Sequence, residues 1–136
     1  MESSIEELDR YREGLINEMF SLGEFRRGTI TVNYRKCGKG GCHCAPEGAR
    51  GHVQYLWNAA IGGKVVVRNL HLGPEVEKYI EETERYKKFI DLCKKLVEVN
   101  ERLCDEVPVE KIEDEQELDK LKKKLRKRLL KRRERR

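Results

Sequence analysis

The chain has no long apolar run. Of its 136 residues 38% are hydrophobic, and apolar stretches such as 65–67 fall far short of the roughly 20 residues that span a bilayer. Residues 1–7 show no basic segment followed by an apolar one, so we expect no secretory signal, no membrane partner and a cytoplasmic location. In a reducing compartment, clustered cysteines favour metal binding over disulfides.

The chain also lacks the motifs of the common enzyme classes. It contains no P-loop, G-x-G-x-x-G, G-x-S-x-G or H-E-x-x-H, so we expect no enzymatic activity and no small-molecule substrate. Two enzymatic alternatives stay open. Cys42 would act as a nucleophile with His43 or His52 as its base, or a zinc ion without a fourth protein ligand would keep an open catalytic position.

Acidic residues are nearly missing from the end of the chain. Residues 120–136 hold twelve Lys or Arg and one acid, Glu134, whereas residues 1–119 hold 18 basic and 24 acidic side chains. This split is typical of a tail that binds phosphates, with an anionic membrane or an acidic protein as alternatives. Leucines at positions 118, 121, 125 and 129 predict an amphipathic helix there. Its like charges repel one another and weaken the isolated helix, so we expect the helix to form when the tail binds a partner.

Hydrophobic periodicity predicts an α+β fold: a compact domain over residues 1–106, followed by a linker and basic tail over 107–136. Ser3 with Glu6, and Ser4 with Glu7, form overlapping capping boxes at the start of the first helix. The predicted elements are an N-terminal helix over 3–20, strands over 29–35, 53–59 and 64–70 in one antiparallel sheet, and a long helix over 74–104.

The long helix has a seven-residue repeat. Four heptads predict either a coiled-coil seam that forms a homodimer through residues 76–104, with Asn100 setting its register, or a stripe that packs on the chain's own sheet and first helix. Cys93 and Cys104 lie on the stripe and are interpreted as small core residues. One repeat position holds Val76, Thr83, Ile90, Val97 and Cys104, and the other holds Tyr79, Tyr86, Cys93 and Asn100.

A glycine-rich loop with three cysteines, Cys37, Cys42 and Cys44, is the most specific motif. Structural zinc takes four thiolate, imidazole or carboxylate ligands, and glycines at 38, 40 and 41 permit a tight fold round an ion. We expect His52 to be the fourth ligand of a zinc loop over 37–52, whereas His43 lies between two ligands and should point away.

Other interpretations of the loop stay open. The fourth ligand would be Glu47 or a water, or the loop would be a turn with reduced thiols and no metal. An iron–sulfur site would need a fourth thiolate from Cys93 or Cys104.

Basic residues near the loop and in the tail predict nucleic-acid binding. Tyr34, Tyr55 and Trp57 lie among them and would stack on bases, with core packing as the alternative. The candidate contact residues are Arg35, Lys36, Lys39 and Arg50 near the loop, and Lys122, Lys123, Lys124, Arg126, Lys127, Arg128, Lys131, Arg132 and Arg133 in the tail.

The cysteine motif and the segment after it resemble a family. Cys37-Gly38-Lys39-x-x-Cys42-x-Cys44, a Gly-rich connector, the strand Tyr55-Leu56-Trp57, a Gly-Lys hairpin and a long helix are similar to the DUF6788 family of small Cys-rich prokaryotic proteins, over about residues 28–103. That family has no established activity, and its members often lie near transposase genes. The resemblance implies a fold and a mobile-element context. Where this chain has Arg50-Gly51-His52-Val53 the family often has His-Gly-Pro-Tyr, so His52 is not the family histidine in register.

The sequence thus predicts a non-catalytic nucleic-acid-binding protein with a zinc-stabilised loop. The mobile-element resemblance favours DNA over RNA. The alternative is a dimeric coiled-coil adaptor for other proteins, which does not bind nucleic acid and uses its leucine-striped tail as a docking helix.

Overall fold

The computed structural model describes residues 4–134, with side chains up to residue 131. Its architecture is α+β, as predicted. The predicted cap residue Ser3 lies outside the described residues. The elements are α1 (Ser4–Ser21), β1 (Thr29–Arg35), β2 (His52–Ile61), β3 (Lys64–Leu70), α2 (Pro74–Glu106) and α3 (Glu115–Glu134).

The three strands form one antiparallel sheet in the order β1-β2-β3. β2 is longer than the predicted 53–59, because the ladder continues to the pairs Arg35↔His52 at one end and Ile61↔Lys64 at the other. Gly62 and Gly63 have φ angles of +60° and +78°, which two-residue hairpin turns of this kind require. Because register fixes which side chains share a face, this pairing divides the sheet into two distinct surfaces.

The inner face of the sheet packs on the first half of α2. Trp57, Ala59 and Leu70 are buried there against Val76 and Tyr79 of the helix. Directly paired residues share a face, and faces alternate along each strand. The remaining set therefore forms the outer face: Thr29, Thr31, Asn33, Arg35, His52, Gln54, Leu56, Asn58, Ala60, Val65, Val67 and Asn69.

The second half of α2 packs on α1. Leu8 and Leu15 of α1 are buried against Leu92, Val99 and Leu103, so one long helix carries two separate hydrophobic clusters. The predicted stripe is buried within the chain only at Val76, Tyr79 and Thr83, and the residues that pack on α1 lie off the stripe.

The predicted seven-residue stripe is not a continuous buried seam. Tyr79 and Thr83 are buried, but Val97 is 56% exposed and Cys104 is exposed. Interpreting Cys104 as a core residue was wrong, and Cys93 is only half-buried. The physical reason is that a straight α-helix has 3.6 residues per turn. A strict seven-residue repeat, which needs 3.5, therefore rotates gradually away from the face that α1 covers.

A buried carboxylate joins α2 to the segment that leads into β1. Glu82 is 5% exposed and accepts hydrogen bonds from Arg26 Nε at 3.1 Å and Lys78 Nζ at 3.1 Å. Arg26 also stacks its guanidinium 3.8 Å from the ring centroid of Tyr79. Burial raises the pKa of Glu82, but the hydrogen bonds and charges of Lys78 and Arg26 outweigh it and hold that pKa below its usual value.

The chain divides into two compact units, one ending at Cys104 and one beginning at Asp105; the predicted boundary followed residue 106. In the second unit α3 is helical, although weak helicity was expected before binding. Local features account for the helix: Asp114 Oδ1 accepts the Gln116 N–H at 3.0 Å, and Asp119 pairs with Lys123 one turn later at 3.3 Å. Among residues 4–134, no helix combines the length and the apolar character that crossing a membrane requires.

Candidate metal centre

The strand ladder positions two of the four predicted ligands. Arg35 ends β1 and pairs with His52, the first residue of β2. Cys37 follows Arg35 by two residues, so pairing of the strands brings Cys37 and His52 to the same end of the sheet. The intervening loop returns Cys42 and Cys44 to that end.

The loop folds through consecutive tight turns. The Cys42 N–H donates to the Lys39 carbonyl at 3.2 Å, and the Ala45 N–H donates to the Cys42 carbonyl at 3.0 Å. Gly51 closes the loop where the strands approach most closely: a Cβ placed there would lie 2.5 Å from the Arg35 carbonyl carbon. Only glycine permits that approach, so the entry to β2 is determined by Gly51.

The four predicted ligand atoms converge. The sulfurs of Cys37, Cys42 and Cys44 and a ring nitrogen of His52 all lie within 4.8 Å of one another. The Cys37 and Cys44 Sγ atoms are 3.5 Å apart, and Cys42 Sγ is 3.2 Å from His52 Nε2. In a tetrahedral site with Zn–S bonds of about 2.3 Å, sulfurs lie about 3.8 Å apart, so these separations match those of ligands to one ion.

Burial differs among the four ligands. Cys44 has no exposed surface, Cys42 is half-buried, and Cys37 and His52 are exposed at the rim. Cys44 is also the most buried side chain of the whole described chain. Its thiol is therefore covered by the loop, although most of the loop is exposed to solvent. These four residues can hold a metal ion.

The alternative ligands stay outside this cluster. Glu47 is exposed and is not among the residues that converge. Cys93 and Cys104 on α2 are not among them either. His43 also lies outside the set of four but, contrary to the prediction from the sequence, it does not point away from the ligands. Its ring instead lies edge-on to His52, with centroids 5.1 Å apart, and its Nδ1 is 3.8 Å from Cys42 Sγ.

Basic side chains surround the cluster. Arg35, Lys36, Lys39 and Arg50 are all exposed. Lys36 Nζ donates to the Pro46 carbonyl at 3.0 Å, which ties the start of the loop to its middle. The Arg50 guanidinium lies 4.7 Å from the ring centroid of Tyr34. These contacts orient two of the predicted phosphate-binding residues, and Arg35 and Lys39 remain open to solvent.

The sequence analysis missed that acidic residues are concentrated in α1 and α2 and are almost absent from the sheet and its loop. Residues 25–74, which hold the whole sheet and loop, contain a single acid, Glu47, whereas α1 and α2 are rich in acids. Counting charges per predicted element would have shown this. The basic residues of this segment are Arg26, Arg27, Arg35, Lys36, Lys39, Arg50, Lys64 and Arg68.

The three predicted stacking aromatics lie on the inner face. Trp57 is 5% exposed, packs edge-on against Tyr79 and donates its indole N–H to the Arg27 carbonyl at 2.8 Å. It is a core residue and not a stacking platform, because its ring is covered by α2. Tyr55 is half-buried in the same cluster, and only Tyr34 is exposed, at 50%.

The predicted tail contacts lie on α3 and extend into solvent as far as the structure describes them. The described ones are Lys122, Lys123, Lys124, Arg126, Lys127, Arg128 and Lys131, all exposed. The side chains of Arg132 and Arg133 lie outside the described residues.

The chemistry of this centre is therefore defined by its own donor atoms: three thiols and one imidazole at the basic end of a small sheet. No protein-family model, curated protein or solved structure matches this chain.

Proposed function

We propose that this protein binds nucleic acid without catalysis, through a basic sheet module whose loop is held by a structural zinc ion. One observation carries the proposal: a four-ligand cluster lies within a segment, residues 25–74, that has eight basic residues and one acid. A phosphate backbone is the common partner of such a surface. The mobile-element context implied by the DUF6788 resemblance stays a prediction.

Zinc is the metal that this donor set favours. Thiolate and imidazole ligands suit Zn²⁺ and disfavour Mg²⁺ and Ca²⁺, which prefer oxygen. With Cys37, Cys42, Cys44 and His52 all bound, a tetrahedral ion has no open position for substrate or water. A closed site of this kind stabilises a fold, which supports a binding role and not a catalytic one.

The loop end and the tail supply different parts of the binding energy in this proposal. Arg35 ends β1 and Lys39 lies in the cysteine loop, whereas the tail provides a dense row of cations on α3. Contacts by the tail are independent of base sequence and strongly weakened by salt. Selectivity then depends on the sheet module.

Titration of full-length protein onto fluorescent duplex DNA at several salt concentrations tests the proposal. Replacing Arg35 and Lys39 by Gln should weaken binding and lower the slope of log K against log salt by about one for each lost phosphate contact. The matched control replaces Lys87 and Lys94, exposed cations on α2, by Gln and should leave the slope unchanged. Wild-type protein that binds no nucleic acid even at low salt would overturn the proposal.

One observation favours the adaptor alternative. Ile90, Cys93 and Val97 line a shallow groove of about 410 Å³ on α2, and Val97 is 56% exposed. A protein partner or a second copy that docks there would bury this strip. Light scattering over a range of concentrations would detect a dimer, and Val97→Glu would dissociate it. A monomer at all concentrations that binds DNA removes the dimeric form of this alternative.

A further inference from the structure

The outer face of the sheet is open to solvent in the part of the chain that the structure describes. Thr31, Asn33 and Asn69 are exposed, and Val65 and Val67 are 76% and 56% exposed. The two valines are neighbours on this face of β3, so they form a small exposed apolar patch. A partner that covers this face would bury that patch.

The chemistry of this face is that of base-edge recognition. It carries hydroxyl and amide side chains but no carboxylate. Asn58 donates its Nδ2 to Thr31 Oγ1 at 2.9 Å across the strands, which holds both groups in place. Amides pair with adenine, hydroxyls with any base, and aliphatic groups with the thymine methyl. The hydrogen-bonding residues are Thr29, Thr31, Asn33, Gln54, Asn58 and Asn69.

Cations flank this neutral face at the end that carries the cysteine loop. There, Arg35 and Lys36 line an open pocket of about 410 Å³ together with Gln54 and Asn69. At the hairpin end, Lys64 pairs with Ile61 and therefore belongs to the inner face, so the cations of the outer face lie at the loop end alone. A neutral, hydrogen-bonding surface with cations at one end is complementary to base edges beside a phosphate backbone.

We infer that the outer face docks in the major groove of double-stranded DNA, with Asn33 and Asn69 near base edges and Arg35 and Lys36 on phosphates. This inference rests on the proposed function, and it identifies duplex DNA as the nucleic acid that the protein binds. The axes of β1 and β3 lie about 10 Å apart at ordinary strand spacing, comparable to the groove width of about 12 Å.

Duplex DNA fits this face better than the other nucleic acids do. The major groove of duplex RNA is too deep and narrow for side chains to read. Single strands need stacking aromatics, and Tyr34, Tyr55 and Trp57 all lie on the inner face.

The test measures affinities of full-length protein for mixed-sequence duplex DNA, duplex RNA of the same sequence and each single strand. The variant Asn33→Asp/Asn69→Asp adds two charges to the outer face while preserving side-chain size. The matched control, Asn17→Asp/Lys87→Gln, lowers the net charge equally at exposed positions of α1 and α2. Circular dichroism and zinc content establish that both variants fold.

The inference requires that wild-type protein prefer duplex DNA, that the outer-face variant bind it at least about tenfold more weakly, and that the control stay within about twofold. If the variant and the control bind duplex DNA equally, this face is not the interface, although nucleic-acid binding itself stands. Preference for RNA or single strands also overturns the inference. Absence of binding to every probe overturns the proposed function as well.

Discussion

Removing the metal ion should lower the stability of the fold, and the length of the loop that the ion closes determines by how much. We consider two perturbations, chelation of the wild-type protein and Cys44→Ala. Cys44 is fully buried, and its Sγ lies 3.5 Å from that of Cys37, so this substitution removes the central ligand. With one thiolate fewer, the site binds the ion more weakly, and the cross-link between β1 and β2 is lost when the ion dissociates.

The size of the effect follows from the closed loop. An ion bound by Cys37 and His52 cross-links a segment of 16 residues. Applying the chain-entropy relation for disulfides, which gives about 3 kcal/mol for a loop of this length, we expect about 3 kcal/mol of stabilisation. Since 1 kcal/mol shifts Tm by roughly 4–8 °C in a small domain, the metal-bound protein should melt about 15 °C above the chelated protein.

Thermal unfolding followed by circular dichroism, with and without chelator, measures this difference. The Tm change on chelation should be much smaller in Cys44→Ala than in the wild type, because the variant binds the ion with one thiolate fewer. Cys104→Ala is the matched control, because Cys104 is exposed and outside the cluster, and it should keep the full change. A wild-type Tm that does not respond to chelator, or native mass spectra without zinc, would refute the reasoning.

Two further predictions concern the contacts that hold the sheet in place. Glu82→Gln should lower the free energy of unfolding by about 2 kcal/mol in urea denaturation, because Arg26 and Lys78 lose a charged acceptor. The folded-state pKa of Glu82 is depressed, so its contribution is present above the usual carboxyl pKa and is lost as pH falls through the lowered value. The variant should therefore show a flatter acid limb than the wild type, and identical profiles would contradict this. Gly51→Ala should weaken zinc binding at least about tenfold in competition with a chromophoric chelator, because its Cβ would meet the Arg35 backbone, whereas Gly41→Ala, which meets nothing within 4 Å, should not. Equal zinc affinities for the two variants would be inconsistent with the role given to Gly51.

The secondary structure could be predicted closely from local signals. The bounds of β1 and β3, and the start of α2 at Pro74, agree with the prediction, because alternating β-branched residues, a Gly-Gly turn and a Pro in the first helical turn act over only a few residues. The loop motif also indicated all four cluster residues. Spacing in sequence restricts which side chains can meet around an ion.

The packing of α2 could not be predicted in the same way. Its seven-residue pattern fits a coiled coil as well as a helix that packs on two different layers. The choice depends on where α1 and the sheet lie, which no local signal contains. Val97 and Cys104 were assigned to a core for this reason, and the positions of α1 and the sheet leave both exposed.

The sequence by itself determined the helices and strands, the cluster of potential ligands and the basic tail, because propensity, spacing and charge are properties of neighbouring residues. The tertiary structure alone decided that Trp57 is a core residue and that Glu82 is buried between two cations. Each of these depends on strand register and on contacts between residues far apart in the chain. The same register places a neutral hydrogen-bonding surface beside the basic loop end of the sheet, which becomes visible only when the three strands are aligned.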